Sequence, residues 1–265
     1  MVLPIWDPER LRPRLPFNVA LCGGRKQGKS CGVAHLLDLL KDEFQLVICM
    51  VGSAACNPVL EHLLKENWDP RFFFSEWDDE LIGRLLKQQE ELLGSGQQRE
   101  VLIILDDVIL SSKADDQLAH MAMRGRHFRI SLMMCAVSYT TLPKRTRRSL
   151  DVLLVYSLPM QGDFKVLTYE YCQGSSSMAR FALNQLREHE CLVLETLCKK
   201  QSLFIWKAVL YELRETEAPQ DPDESRIPDE ADSGLERPPD PYQKRISSAE
   251  DGTESPGDPA RVHVV

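Results

Sequence analysis

The sequence lacks any apolar run long enough to cross a membrane. Its uninterrupted apolar stretches, such as residues 132–137, fall far short of the roughly 20 residues that a spanning helix needs. The first ten residues include two acidic side chains and two prolines and no long apolar core, so we expect no signal peptide. No pair of the eight cysteines has CxxC spacing. We therefore expect an intracellular protein with no membrane span, whose buried thiols are reduced and form neither a disulfide framework nor a zinc site.

Aliphatic residues are also scarce at the carboxyl end. Residues 215–265 hold 8 of the 16 prolines, with 14 acidic and 5 basic side chains, so the net charge of −8 belongs almost entirely to this segment. A segment of this composition buries too little apolar surface to offset its ordering entropy. We expect an acidic, proline-rich disordered tail at 215–265, following a nearly neutral domain at 1–214. The tail either recruits a partner or masks a basic site, or it only solvates the chain.

The first 214 residues alternate short β-rich runs with helical patterns, which is typical of a mainly parallel central sheet flanked by helices on both faces. Strands are predicted at residues 17–22, 45–51, 101–105, 130–137 and 152–158. Helices are predicted at residues 29–41, 59–66, 79–93, 114–123 and 178–190, the last after a Gly-Ser linker at 174–177. Residues 191–196 and 202–208 are predicted to form a terminal β-hairpin. The fold class is therefore α/β.

A glycine-rich loop follows the first predicted strand and opens the first predicted helix. It reads Gly23-Gly24-Arg25-Lys26-Gln27-Gly28-Lys29-Ser30, a full match to GxxxxGK[ST]. Glycines allow successive backbone N–H groups to converge on phosphate oxygens, and the helix adds its positive amino end. The pattern predicts that Lys29 contacts the β- and γ-phosphates of ATP and that Ser30 ligates Mg²⁺. The alternative is a coincidental glycine-rich turn. We assign nucleotide binding to Gly23, Gly24, Arg25, Lys26, Gln27, Gly28, Lys29, Ser30 and Cys31.

A second apolar strand, at residues 101–105, ends in two carboxylates, Asp106 and Asp107. In P-loop NTPases this arrangement holds Mg²⁺ through the first acid and orients the attacking water through the second. We therefore predict Asp106 as a metal ligand and Asp107 as the catalytic base. The alternative is a capping role for the two acids at the start of the next helix. The predicted strand at 45–51 is interpreted as the one that separates the two motifs in the sheet.

Segments beyond these two motifs carry a family resemblance. The run Arg124-Gly-Arg126-His127-Phe-Arg129 and the later Ser138-Tyr139-Thr-Thr-Leu-Pro143-Lys144-Arg145-Thr-Arg147-Arg148 accompany the nucleotide motifs. Together they resemble the poxvirus-type genome-packaging ATPases of large double-stranded DNA viruses, which are relatives of FtsK and HerA. The resemblance covers about residues 15–210 and implies a RecA/FtsK-like P-loop fold.

The resemblance also implies a function. It implies a homo-oligomeric ring that hydrolyses ATP with Mg²⁺ while it moves double-stranded DNA, without sequence preference, into a capsid through a capsid or portal-like protein. It further implies an arginine donated to a neighbouring site, for which Arg126 and Arg147 are the candidates; the alternative is that they belong to a solvated basic face. The same basic segments offer contacts to DNA phosphates. The place of action is the host nucleus or a viral factory, with the virion as a further location.

The sequence departs from the family pattern at two positions. Val137 stands where the family commonly has a polar sensor, with Ser138 or Thr140 as possible substitutes, and Ser149 stands near the position of a family asparagine. These departures keep two other functions open. One is a P-loop NTPase acting on something other than DNA, and the other is a weakly active ATP-binding scaffold that assembles with partners.

Overall fold

The computed structural model describes residues 3–52, 58–158, 160–171, 176–196 and 202–208. Within these residues eight strands form one sheet: β1 (Asn18–Cys22), β2 (Leu46–Val51), β3 (Phe73–Phe74), β4 (Val101–Asp106), β5 (Ile130–Ala136), β6 (Val152–Val155), β7 (Glu190–Glu195) and β8 (Ser202–Lys207). The helices in the same ranges are α1 (Lys29–Leu40), α2 (Pro58–Asn67), α3 (Asp79–Gly94), α4 (Ser112–Arg124), α5 (Lys144–Arg147), α6 (Gln161–Tyr171) and α7 (Ser176–Asn184).

The sheet is mostly parallel, with strand order β3-β2-β4-β5-β1-β6-β7-β8. The six strands from β3 to β6 pair in parallel, whereas β7 runs antiparallel to both β6 and β8. Because parallel strands are covered on both faces, β1, β4 and β5 are buried along their whole length. The α/β fold and the terminal hairpin predicted from the sequence are confirmed.

The core has two halves, one on each face of the sheet. Alternate residues of β1 point to opposite faces: Val19 and Leu21 pack with α1 and α2, while Ala20 and Cys22 pack with α3, α4 and α6. Five cysteines lie in the described residues: Cys22, Cys49, Cys135 and Cys191 are buried, and Cys31 is half-buried. Within the described ranges, no helix is long and apolar enough to cross a bilayer.

An amino-terminal segment covers the β7–β8 edge. Trp6 Nε1 donates to Oε1 of the buried Glu195 at 2.7 Å, and Arg10 and Arg14 donate to the same carboxylate at 2.8–3.0 Å. Burial alone would raise the pKa of Glu195, but these hydrogen bonds together lower it below its ordinary value. The carboxylate therefore fastens the start of the chain to the end of the sheet.

Several sequence predictions are wrong in detail. The strand between the two nucleotide motifs is β5, not β2, which pairs with β4 on its far side. The last helix begins at Ser176, inside the predicted linker, and ends at Asn184; His189, with φ 62°, then leads directly into β7. The helix α6 and the short α5 were not predicted. The tail and the boundary at residue 214 lie outside the described residues and stay predictions.

Candidate nucleotide-binding site

The glycine-rich loop joins β1 to α1 at the carboxyl edge of the sheet, and its backbone has conformations that favour glycine. Gly28 has φ 100° and caps α1, so its position disfavours any L side chain. A Cβ at Gly23 would lie 2.6 Å from Cβ of Tyr156, which packs beneath the loop. These two glycines are therefore required by backbone conformation and by close packing, as the motif predicts.

Two backbone hydrogen bonds anchor the loop to neighbouring strands. Gly23 N donates to Ala136 O at the end of β5 (3.1 Å), and Gly24 N donates to Ser157 O after β6 (3.3 Å). The loop is thus held from both sides of β1 before any ligand binds. Such preorganisation lowers the ordering cost of binding phosphate.

The Lys29 ammonium lies inside the loop. Its Nζ donates to Gly23 O at 2.9 Å and to Gly24 O at 3.0 Å, and the residue is buried. These two carbonyl oxygens accept the hydrogen bonds that phosphate oxygens accept from a P-loop lysine when a nucleotide is bound. The side chain therefore stands where the motif predicts a contact to phosphate.

Ser30 and Asp106 meet at the mouth of the loop. Ser30 Oγ donates to Asp106 Oδ2 at 2.9 Å, although the carboxylate comes from β4 and the hydroxyl from α1. Burial raises the pKa of Asp106, the Asp107 charge raises it further, and the Ser30 hydrogen bond opposes both. A hydroxyl and a carboxylate oxygen in contact form the oxygen donor set that Mg²⁺ prefers, so the two residues fit this cation.

Asp107 follows β4 in a left-handed conformation, with φ 52° and an exposed side chain. Its backbone leaves no room beside Gly52, where a Cβ would lie 2.1 Å from Asp107 O. Asp107 lines a cavity of about 580 Å³ together with Arg25 and Val137. The capping alternative is wrong, because α4 is capped by Ser111, whose hydroxyl accepts from Ala114 N at 3.2 Å.

The segment after β5 is held by α6 rather than by the nucleotide site. Ser138 Oγ and Thr140 Oγ1 donate to Oδ1 of the buried Asp163 at 2.8 and 2.7 Å, and Thr140 N donates at 3.0 Å. Burial would raise the pKa of Asp163, but these hydrogen bonds lower it. Both hydroxyls considered as substitutes for a polar sensor are therefore occupied. Val137, 37% exposed, is left facing the cavity.

The structure does not bring Arg126 to the loop of its own subunit. The Arg126 guanidinium forms an ion pair with Asp151, whose other carboxylate oxygen accepts from Asn18 N at 2.8 Å. Asn18 begins β1 and Asp151 precedes β6, so this pair lies at the amino edge of the sheet, opposite the glycine-rich loop. Arg126 remains 53% exposed.

Arg147 is nearly buried, with 10% of its side chain exposed. Its Nη1 donates to Leu142 O at 2.9 Å, Nη2 lies 3.4 Å from Glu170, and the guanidinium stacks 5.1 Å from the Tyr139 ring centroid. These contacts hold α5 and α6 together within one subunit. They support a structural role for this side chain.

The remaining residues assigned to nucleotide binding differ in exposure. Arg25 and Lys26 are exposed, Lys26 with φ 61°, while Gln27 and Cys31 are half-buried. The exposed bases of the two basic segments lie on adjacent elements, because Asn18 Nδ2 donates to both Ala122 O in α4 and Ser149 O after α5 at 2.8 Å. We call the exposed residues Arg124, Lys144, Arg145 and Arg148 the basic face.

The strand-loop-helix with a buried lysine, the serine-aspartate contact and the strand order around β1 define a P-loop ATPase of the class in which another strand separates the two nucleotide motifs. Comparison with protein families assigns the chain to one family within this class. Residues 7–205 match the model of the poxvirus A32 protein, and the chain belongs to that family. The resemblance seen in the sequence is confirmed. No curated protein matches the chain.

Solved structures of similar fold agree with this class. The DNA-packaging ATPase B204 of Sulfolobus Turreted Icosahedral Virus superposes with TM-score 0.55 at 14% identity, covering 74% of this chain and 99% of that one. The genome-packaging NTPase B204 of Sulfolobus turreted icosahedral virus 2, in complex with ATP-gammaS, gives TM-score 0.50 at 16% identity, covering 77% and 100%. The Type VII secretion ATPase EccC of Thermomonospora curvata gives 0.51 at 15% identity, covering 72% of this chain and 25% of that one. At these identities the likeness shows the fold.

Proposed function

We propose that this chain is a subunit of a ring-shaped motor that hydrolyses ATP and uses the energy to drive viral double-stranded DNA into a capsid. The observation that carries the proposal is the contact between Ser30 and Asp106 at the mouth of the loop. It joins the two halves of an NTPase site from residues far apart in the chain. Membership of the poxvirus A32 protein family supports the packaging role.

The residues divide the work of hydrolysis. The loop N–H groups and the amino end of α1 bind the phosphates, and Lys29 leaves the carbonyls of Gly23 and Gly24 to contact them. Mg²⁺ held by Ser30 and Asp106 would neutralise charge on the β- and γ-phosphate oxygens. Asp107, exposed on the cavity beside the loop, orients the attacking water and accepts its proton.

The basic face provides the contact to DNA. Its side chains are exposed and carry positive charge on adjacent elements, which suits phosphates rather than base edges. Binding through phosphates gives an affinity that is independent of sequence and falls steeply with salt. A motor that moves along any DNA needs this kind of contact.

A ring completes each site with an arginine from the neighbouring subunit. Of the two candidates, Arg126 is half-exposed at the amino edge of the sheet. Arg147 is nearly buried and contacts Glu170 and Tyr139 of its own subunit. Arg126 is therefore the better candidate. Its pairing with Asp151 holds the guanidinium in place while the neighbour is absent.

The motor acts with a capsid or portal-like protein that receives the DNA. Poxvirus family membership favours a viral factory over the host nucleus as the place of action. A motor that stays with the filled capsid would also be found in the virion.

ATP hydrolysis with and without long double-stranded DNA, at low and moderate salt, tests the proposal. The wild-type rate is expected to rise with DNA of any sequence and to lose this stimulation at the higher salt. Lys29→Ala is expected to lack activity in every condition, since the contact to the phosphates is lost. DNA-independent turnover would instead favour a P-loop NTPase with another substrate.

One observation favours a second function, an ATP-binding assembly scaffold with slow turnover. Val137 faces the cavity beside Asp107, and Ser138 and Thr140 are bound to Asp163. No polar side chain among these three is available to sense the γ-phosphate. Tight ATP binding without turnover, with and without DNA, would support the scaffold.

A further inference from the structure

The glycine-rich loop separates two cavities. The first contains Asp107 and Arg25 and has been described above. The second, of about 560 Å³, lies on the β6 side and is reached from the loop through Gln27. Its walls come from the segment after β6, from α6 and α7, and from the turn before β7. The walls include Leu158, Phe164, Arg180, Leu183, Leu186 and Glu190.

The position of the acids sets the direction of a bound nucleotide. Asp106 lies at the loop mouth beside Ser30, and Asp107 lines the first cavity, so the terminal phosphate points toward that side. The nucleoside end of a triphosphate then leaves the loop on the other side, at Gln27. The second cavity begins there.

A flat pair of side chains stands in this second cavity. The Arg180 guanidinium lies 5.0 Å from the ring centroid of Phe164. Aromatic and guanidinium planes both stack on nucleobases, and stacking on an aromatic ring contributes about 1–3 kcal/mol per base. The aliphatic neighbours Leu158, Leu183 and Leu186 provide the apolar surroundings that a base requires.

Phe164 is held in position before any ligand binds. Its neighbour Asp163 is fixed by hydrogen bonds from Ser138 and Thr140, and Phe164 N donates to Met160 O at 3.3 Å. Arg180 is exposed. The ring therefore provides a rigid platform, and the guanidinium covers it.

We propose that the Phe164 ring binds the base of the nucleotide by stacking, and that the Arg180 guanidinium, which lies 5.0 Å from this ring in the free protein, moves off the ring to cover the other face of the base. This subsite rests on the proposed function, because it requires a nucleotide on the loop. It assigns roles to α6 and α7, which the sequence motifs leave without one. In this proposal α6 contributes at both ends of the ligand. Its Phe164 contacts the base, and its Asp163 holds Ser138 and Thr140, which follow Val137 at the cavity on the phosphate side.

The test compares a ligand that has a base with one that lacks it. In the full-length chain, Phe164→Ala is expected to weaken ADP binding by about 5- to 150-fold in titration calorimetry, the range that corresponds to stacking of one base. The Kd for inorganic pyrophosphate is expected to stay unchanged. Phe181→Ala is the matched control, because Phe181 is an exposed phenylalanine of α7 outside this cavity.

Two further variants guard against a folding defect at Phe164. Arg180→Ala removes an exposed side chain and is expected to weaken ADP in the same direction without affecting pyrophosphate. Phe164→Trp keeps a stacking ring and is expected to retain ADP binding, with tryptophan fluorescence quenched by ADP beyond the wild-type change. These results would support the subsite.

Equal weakening of ADP and pyrophosphate by Phe164→Ala, with no effect of Arg180→Ala, would overturn the subsite in favour of a structural role. Unchanged ADP affinity in both alanine variants would overturn it as well. In both cases wild-type binding would leave the proposed function intact. A wild-type protein that binds neither ligand would overturn the proposed function itself.

Discussion

The Ser30 hydroxyl lies 2.9 Å from Oδ2 of Asp106, although 76 residues separate them in the chain. The contact exists because β1 and β4 end at the same edge of a parallel sheet, with β5 between them. Ser30 comes from α1 and Asp106 from β4, so the contact depends on the positions of both elements. The pair therefore connects the fold to the chemistry proposed for the site.

Asp106→Asn should stabilise the free protein while it abolishes Mg²⁺-dependent hydrolysis. The pKa of Asp106 is raised above its ordinary value of 3.8, mainly by burial. Because the pKa of Asp106 is higher in the folded state, the free energy of unfolding decreases as the pH rises through this pKa. The whole decrease is present at pH 7. Neutralising the carboxylate is expected to raise the free energy of unfolding by roughly 0.5–2 kcal/mol in urea denaturation at pH 7.

The gain from Asp106→Asn should vanish below the ordinary pKa, where the wild-type carboxyl is protonated in both states. Asp107→Asn is the comparison and should give a smaller gain in stability, because Asp107 is exposed and contributes to the raised pKa of Asp106 only through its charge. Loss of stability in Asp106→Asn at pH 7 would contradict this prediction.

Glu195→Gln should destabilise the protein at neutral pH by about 3 kcal/mol, because Arg10 and Arg14 lose the buried charge that they share. The pKa of Glu195 is lowered, so its stabilising effect is present above the ordinary value of 4.5 and is lost as the pH falls through the folded-state pKa. Urea denaturation of both proteins between pH 7 and pH 3 is expected to show the two curves converging in acid. Equal stability at pH 7 would refute the role given to this carboxylate.

Nucleotide should protect Cys31 from alkylation. Cys31 is half-buried in the first turn of α1, next to Ser30, whereas Cys135 is buried in β5. With ADP and Mg²⁺ at roughly 100 times Kd, few sites are free, and the iodoacetamide rate at Cys31 is expected to fall about 100-fold. Peptide mass spectrometry measures each thiol separately, with Cys135 as the unreactive reference. An unchanged rate at Cys31 would place the phosphates elsewhere.

Removing charge from the basic face should weaken DNA binding uniformly across sequences. Each phosphate contact contributes about 0.9 to the slope of log K against log salt. Replacing Arg145 and Arg148 together by alanine is therefore expected to reduce the slope by about 2 in fluorescence anisotropy titrations. The control replaces Lys65 and Lys87, exposed bases of α2 and α3, and should leave the slope unchanged. An equal effect of both double variants would argue against a dedicated face.

Local patterns predicted the elements that form the candidate nucleotide-binding site. The eight residues from Gly23 to Ser30 include the glycines that the loop backbone requires, the lysine and the start of α1. The sequence alone was therefore enough to locate this loop. The acids of β4 were equally clear, because an apolar strand that ends in Asp106 and Asp107 is a local pattern. These residues occupy their predicted places.

Relationships across the sheet were not predictable in the same way. Strand order depends on which apolar runs pack together, so the sequence did not show that β5, rather than β2, lies between β1 and β4. The helix α6 was missed because Gly162 and Asp163 interrupt its first turn and its apolar residues form no clear stripe. The hydrogen bonds from Ser138 and Thr140 to Asp163 could therefore not be predicted. Arg126 and Arg147 are both candidates on the motif alone, which does not reveal their partners Asp151 and Glu170.

The most direct measurement of the central claim is displacement of a triplex-forming oligonucleotide from long double-stranded DNA. A motor that moves along DNA strips the third strand in its path, whereas an enzyme that only binds DNA leaves it in place. The proposed function predicts ATP-dependent displacement by the wild-type chain, at sites of any flanking sequence, and none by Lys29→Ala. ATP hydrolysis stimulated by DNA without any displacement would contradict translocation by this chain.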